Sequence, residues 1–214
     1  LAQHSLIFTN AYTNGYKSIH GMSSILSGIP SFIDAFTSTP YANQKIESLV
    51  SVLESIGYHT SFFHGAENGS MGFLGYSNIL GIDKYFGRNE YNNDNDFDGY
   101  WGIWDEPFLQ FMKEKLDEEQ EPFFSTVFTI SSHEPYIIPE KYKDTFSEGD
   151  IIMHKCVKYT DFALRRFFDE AKKEHWYNNT LFIMVADHAH KIYYPEYRKA
   201  LNFNTIPILF HHPD

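Results

Sequence analysis

Apolar residues change their spacing along the chain, and the changes mark out elements. In residues 44–56, Ile46, Leu49, Val50, Leu53 and Ile56 recur at helical spacing, and Gly57 supplies the stop. Residues 22–29 read as a short helix ended by Gly28 and Pro30. Tyr58 to His64 reads as a strand running into a glycine-containing loop, His64-Gly65-Ala66-Glu67-Asn68-Gly69-Ser70. Residues 106–118 look helical, with Pro107 in the first turn. Phe123 to Ile130 is a continuous apolar, β-rich run, the mark of a buried strand. Residues 150–174 form the longest helical stretch, with Leu164, Phe167 and Phe168 on its apolar face, and Thr180–Val185 and Ile206–Phe210 are two more buried strands. Helices alternating with buried strands predict an α/β fold with a largely parallel sheet flanked by helices. No repeat, low-complexity tract or linker divides residues 1–214, so one domain is expected.

Composition narrows the partners. The chain has 17 Lys+Arg against 28 Asp+Glu, a formal charge of −11, so no cationic surplus exists to displace counterions from nucleic acid or to form a polybasic membrane patch. Hydrophobic residues at 43% and charged residues at 21% are the balance of a folded protein. Cys156 is the single cysteine, which excludes an internal disulfide and a thiolate metal cluster. No apolar run approaches the ~18 residues of a membrane span. Leu1-Ala2-Gln3-His4 is not a signal peptide, and the absence of an initial Met suggests a chain cut from something longer.

Candidate chemistry gathers at the carboxyl ends of the strands, where open parallel sheets place their ligands. Phe123–Ile130 runs into Ser131-Ser132-His133-Glu134-Pro135, Thr180–Val185 into Ala186-Asp187-His188, and Tyr58–Phe63 into His64-Gly65. Adjacent Asp187 and His188 can both reach one divalent ion, although a capping Asp beside an ordinary loop His would look the same. Thr13 to Gly21 is a glycine-containing loop feeding a helix. Ser18 lies near the helix N-terminus, where backbone N–H groups and the dipole favour an anion, and Lys17 adds charge. Ser18 as a simple N-cap is the plainer alternative. Asp94, Asp96, Asp98, Gly99 and Asp105 also fit the spacing of a calcium loop, against a solvated Asn/Asp-rich surface loop.

Taken in order, these pieces resemble the lipoteichoic acid synthase and phosphoglycerol transferase branch of the alkaline phosphatase/sulfatase superfamily. The matching residues are Asn14-Gly15-Tyr16-Lys17-Ser18, Ile25 to Pro30, Phe63-His64-Gly65, Trp101 to Glu106, Thr129 to Pro135, Tyr159-Thr160-Asp161 and Asn179 to His188. The resemblance implies an alkaline-phosphatase-like domain truncated at both ends, with a further acidic metal ligand upstream of Leu1. It implies Ser18 as nucleophile and metal ligand, Asp187 and His188 as ligands of a divalent ion, usually Mn2+ with Mg2+ or Zn2+ possible, and His133 as a phosphoryl contact or proton carrier. Lys17 and His64 join His133 as substrate-side candidates. The implied activity is metal-dependent transfer or hydrolysis of a phosphoester, most naturally a phosphoglycerol-type group on a lipid-linked or glycan substrate, through a phospho-serine intermediate. The implied setting is a membrane-anchored parent with its catalytic domain facing the periplasm or the outside.

Two departures stand beside the resemblance. The Trp and Arg that contact glycerol phosphate in lipoteichoic acid synthases find Met71-Gly72-Phe73-Leu74 here, and the Cys/Ser-x-Pro-x-Arg signature of formylglycine sulfatases does not occur around Ser18. The alternatives are a hydrolase of another ester, phosphatase-like or sulfatase-like, and a non-catalytic domain holding calcium at Asp94–Asp105.

Overall fold

The structure is a computed structural model, and it describes residues 1–190 and 192–213. Its main elements, in chain order, are β1 (Ser5–Phe8), α1 (Ser18–Ser27), α2 (Leu49–Ser55), β2 (His59–His64), α3 (Phe73–Leu80) and β3 (Lys84–Phe86). There follow α4 (Arg88–Tyr91), α5 (Asp105–Asp117), β4 (Phe123–Phe128), α6 (Met153–Ala171), β5 (Phe182–Val185) and β6 (Ile208–His211). They form two compact units, one of Leu1–Ser55, Met71–Gly81 and His175–Asp214, the other of Ile56–Ser70 and Ile82–Glu174.

The second unit carries the parallel sheet. Its order is β3-β2-β4, with β2 parallel to both neighbours and His59 to His64 paired in register with Phe123 to Phe128. This register has a direct consequence. His64 and Phe128 end their strands side by side, so the segments leaving β2 and β4 emerge at the same edge. Phe62 and Phe63 are each 1% exposed, stacked on Tyr85 and Phe86 of β3. Helix α5 packs along α6. On α6, Cys156, Tyr159, Ala163, Phe167 and Ala171 are buried at intervals of three and four residues, the stripe a helix needs to face a partner. Buried Phe108, Leu109, Met112 and Leu116 are the answering face of α5.

The first unit holds a sheet of order β1-β6-β5 in which both pairings are antiparallel. The expected parallel arrangement therefore describes one sheet and not the other. Short apolar strands carry no period-2 signal that would reveal direction, so the sequence pattern locates them without orienting them. β6 is also displaced by two residues from the expected start at Ile206. Helix α1 begins at Ser18, four residues before the predicted start, and ends at Gly28, whose φ of 64° closes the helix in the left-handed region. The helix expected from residue 44 begins only at Leu49. Helix α3 escaped the sequence pattern because it is short, holds Gly75 in its interior and places a polar Ser77 on its buried face.

Candidate active site

In the first unit, the end of β5 meets the start of α1. Ser18 is the first residue of α1 and is 3% exposed. It does not cap the helix: Lys17 occupies the N-cap position, extended and exposed, with no side-chain hydrogen bond to the first turn. The Ser18 hydroxyl instead faces His188, its Oγ lying 3.4 Å from Nε2. Thr13 Oγ1 donates to the Asp187 carbonyl at 2.8 Å, tying the loop before α1 to the segment after β5.

Close approach here demands glycine. A Cβ on Gly21 would lie 2.6 Å from Asp187 Cβ and 3.0 Å from its Cα, closer than atoms can pack. A Cβ on Gly15 would meet His20 Cβ at 2.3 Å. His20 is buried, and its Nδ1 accepts the Tyr16 N–H at 3.3 Å. Burial, followed by the charges of Lys17 and His188, holds the His20 imidazole below its ordinary pKa.

Three donor atoms of this corner face one another, and the Ser18 hydroxyl carries the proton that can point at His188 Nε2. The Ala189 carbonyl, 2.7 Å from His188 Nδ1, can only accept, so Nδ1 carries the proton. In the neutral ring, Nε2 then presents a lone pair. Asp187 Oδ2 stands 3.4 Å from that nitrogen and, although buried, has no hydrogen-bond partner. Ser18 Oγ, Asp187 Oδ2 and His188 Nε2 thus bring electron density together where a carboxylate oxygen has lost water and gained nothing. An O, O, N donor set with the second imidazole nitrogen held by a carbonyl is of the kind that manganese, magnesium or zinc can use. Among the described residues no group of three or more His, Cys, Asp or Glu gathers at one point, and this corner brings together one Asp, one His and a serine hydroxyl.

The second unit places His64 and His133 together, as the strand register requires. His133 is half-buried, its N–H and Nδ1 both lying against the Ile130 carbonyl, at 3.2 and 3.0 Å. Nδ1 therefore donates, and Nε2 is left for other work. The Trp101 ring stands 5.5 Å from the His133 ring, and its Nε1 donates to the Glu134 carbonyl. His64 is 2% exposed, edge-on to Phe128, with the Tyr85 hydroxyl 3.5 Å from its Nδ1. Burial, then the neighbouring charge of His133, pushes its pKa down to about 4, so His64 is a neutral ring at physiological pH. Asn68, in the same loop, gives its amide to both Glu90 oxygens.

With this geometry described, the comparisons take their place. The family model described as Sulfatase matches residues 1–213. The chain belongs to the sulfatase family. It is 25% identical over 152 residues to the lipoteichoic acid synthase-like protein YvgJ of Bacillus subtilis, an alignment covering 69% of this chain and 25% of YvgJ. A protein of the alkaline phosphatase superfamily from Vibrio parahaemolyticus superposes with a TM-score of 0.86 at 30% identity, covering 99% of this chain and 52% of that one. The lipoteichoic acid synthase LtaP of Listeria monocytogenes shares the fold, with a TM-score of 0.83 at 20% identity over 99% of this chain and 57% of that one. The chain thus spans about a quarter of the length of the curated relative and about half that of the structural ones.

Within this sulfatase-family chain the calcium-loop alternative fails on geometry. Asp105 turns away from the loop, buried at 2% exposure and bonded to Ile130, Ser131 and Thr160. Asp98 Oδ1 accepts the N–H groups of Tyr100, Trp101 and Gly102, and Asp96 Oδ2 accepts from Tyr91 and Asn93. Asp94 pairs with Arg88, whose guanidinium also stacks on Phe97 at 3.8 Å, so a protein cation already answers that loop. Sequence reasoning gave no role to Gly21 or Trp101 and took Asp105 only as a calcium position. The motif Trp101 to Glu106 was the signal available for the last two. Gly21 carried none, because a helical glycine reveals its neighbour only once the chain is folded.

Two outcomes follow from this geometry. Gly21→Ala should lower stability by about 1–3 kcal/mol by overpacking and weaken Mn2+ binding of the full-length protein, measured by urea unfolding and titration calorimetry. Gly75→Ala, with open space around its Cβ, should do neither. For His64, the folded pKa lies below the unfolded one, so between pH 6.5 and about 4 the unfolded state binds more protons. Stability should therefore be full above pH 6.5 and fall on acidification through that window by about 3 kcal/mol. His64→Asn should flatten that part of the pH profile of urea unfolding, and an unchanged slope would contradict the assignment.

Proposed function

We propose that this chain is the catalytic part of a metal-dependent phosphoester transferase or hydrolase acting through Ser18. The observation that carries the reading is the convergence of Ser18 Oγ, His188 Nε2 and the buried, unpartnered Asp187 Oδ2 at the first turn of α1. A divalent cation, Mn2+ in the first instance and Mg2+ or Zn2+ as alternatives, would be held by Ser18, Asp187 and His188. When bound, it supplies charge that lowers the pKa of a serine hydroxyl and neutralises phosphoryl oxygens.

The residues do the rest. Ser18 Oγ loses its proton and forms a bond to phosphorus while the bond from phosphorus to the leaving alcohol oxygen breaks, and that oxygen takes up a proton. Water or an acceptor alcohol then attacks the phospho-serine, and Ser18 leaves. The N-terminus of α1 favours phosphoryl oxygens, because the helix dipole places partial positive charge there and the Lys17 side chain does not cap it. Lys17, exposed beside Ser18, adds a full charge to the same end. From the ordered motifs, His133 is the candidate phosphoryl contact or proton carrier, with Nδ1 held by the Ile130 carbonyl, and His64 is a substrate-side candidate kept as a neutral ring.

The names of the relatives and the ordered motifs favour a phosphoglycerol-type group on a lipid-linked or glycan substrate. Met71 and Phe73, where lipoteichoic acid synthases place Trp and Arg, favour a different headgroup contact from theirs. The lack of Cys/Ser-x-Pro-x-Arg around Ser18 disfavours sulfate-ester hydrolysis by a formylglycine route. A membrane-anchored parent with an outward-facing catalytic domain completes the proposal, the described residues themselves holding no helix long and apolar enough to cross a membrane.

In the full-length protein, Ser18→Ala and Asp187→Ala should each reduce phosphodiester turnover by ~10³-fold or more while circular-dichroism melts remain cooperative. Chelation should abolish wild-type turnover and added Mn2+ should restore it. Activity retained in Ser18→Ala would overturn the mechanism.

A further inference from the structure

The buried carboxylate of Asp105 is the least expected charge in the second unit. It belongs to the first residue of α5, a position where an acid ordinarily sits in water, yet it is 2% exposed. Removing a carboxylate from water costs several kcal/mol unless its oxygens are met by donors, and here they are. Oδ1 accepts the N–H of Ile130 at 2.9 Å and of Ser131 at 3.2 Å, and Oδ2 accepts the Thr160 hydroxyl at 2.9 Å. The return bond runs from the Asp105 N–H to Ser131 Oγ at 2.9 Å, and Thr160 Oγ1 lies 3.1 Å from Ser132 Oγ. Ile130, Ser131 and Ser132 are thus tied to one carboxylate, directly or through one hydroxyl.

Those residues are the turn that carries His133. The peptide unit joining Ile130 to Ser131 gives its N–H to Asp105 and its carbonyl to His133 Nδ1. Carboxylate, amide and imidazole therefore form a relay of hydrogen bonds one peptide long. Burial pushes the Asp105 pKa up while the Ile130, Thr160 and Ser131 donors pull it down; in the ionised form that these donors hold, the charge at one end of the relay polarises the amide and strengthens its carbonyl as an acceptor. That carbonyl fixes the proton on Nδ1 and leaves the Nε2 lone pair exposed. Trp101 closes the turn from the other side, its ring against His133 and its indole N–H on the Glu134 carbonyl. A purely structural link at this place would be met by Asn or Ser without burying a charge.

We propose that Asp105, with Thr160 as its support on α6, is the positioning residue of His133, setting the imidazole tautomer through the Ile130–Ser131 peptide. The proposal rests on the reading of His133 as a phosphoryl or proton contact, and it adds a cause for the Trp101-to-Glu106 and Tyr159-Thr160-Asp161 motifs, which that reading leaves without a task. Asp105 touches neither substrate nor reacting atoms.

The test uses the full-length protein with bis(4-nitrophenyl) phosphate as probe, in wild type, Asp105→Asn, Thr160→Val, His133→Gln and the Asp105→Asn/His133→Gln double variant. Asn keeps the Oδ1 contacts and removes the charge. Asp105→Asn should lower kcat about tenfold to a hundredfold with KM within about threefold, and Thr160→Val should do the same to a smaller degree. In the His133→Gln background Asp105→Asn should cost less than about twofold, because residues acting as one unit do not add. Nitrogen-15 NMR of histidine-labelled protein should show His133 protonated on Nδ1 in the wild type and a mixed tautomer in Asp105→Asn. Equal losses in both backgrounds, or an unchanged His133 tautomer, would overturn the proposal. If His133→Gln leaves turnover intact, the functional reading of His133 fails by itself, and the tautomer decides for or against Asp105. Should Asp105→Asn not fold, Thr160→Val carries the same comparisons.

Discussion

A buried carboxylate oxygen with no hydrogen-bond partner is the constraint around which the first unit is arranged. Asp187 Oδ2 sits at the end of β5, 3.4 Å from a nitrogen whose proton is held on the opposite side of the ring. Left alone, such an oxygen would draw water or a protonated neighbour. Its nearest candidate, His188, has its Nδ1 proton on the Ala189 carbonyl. Gly21 lets the first turn of α1 press against Asp187, Thr13 bonds its carbonyl, and Ser18 turns its hydroxyl inward instead of capping its own helix. A glycine inside the helix and a serine that forgoes its cap each cost stability, and both fit the proposal that a cation completes the site.

The second unit reaches a related end by different means. Parallel pairing of β2 with β4 in register delivers two histidines at one edge, so their proximity is a property of the sheet. Burial then separates their roles: His64 is kept neutral, and His133 is presented on a turn that a buried carboxylate holds in place. Both units fix one imidazole nitrogen with a backbone carbonyl, Ala189 for His188 and Ile130 for His133, leaving Nε2 for the roles proposed above.

Strand–loop junctions were the legible part of the sequence. Asp187-His188 after an apolar run and Ser131-Ser132-His133 after another were found because buried strands are conspicuous and ligands collect at their ends. Ser18 needed the ordered motifs as well, since a serine before a helix is most simply a cap. The direction of β6 was not legible, because pairing sense is decided by connections and not by the composition of a four-residue strand. The Asp94–Asp105 run shows the limit of spacing, which records where oxygens occur and not where they point. Arg88 enters that loop from outside it, and Asp105 leaves it to serve the turn after β4.

The most direct measurement is a rapid-quench reaction of the full-length protein with a phosphodiester substrate, followed by mass spectrometry of the peptide containing Lys17 and Ser18. The account predicts a phosphoryl-group adduct on Ser18 that forms within one turnover, decays when acceptor is present, and is missing after chelation of the metal. Turnover that proceeds with Ser18 unmodified at every quench time would contradict it.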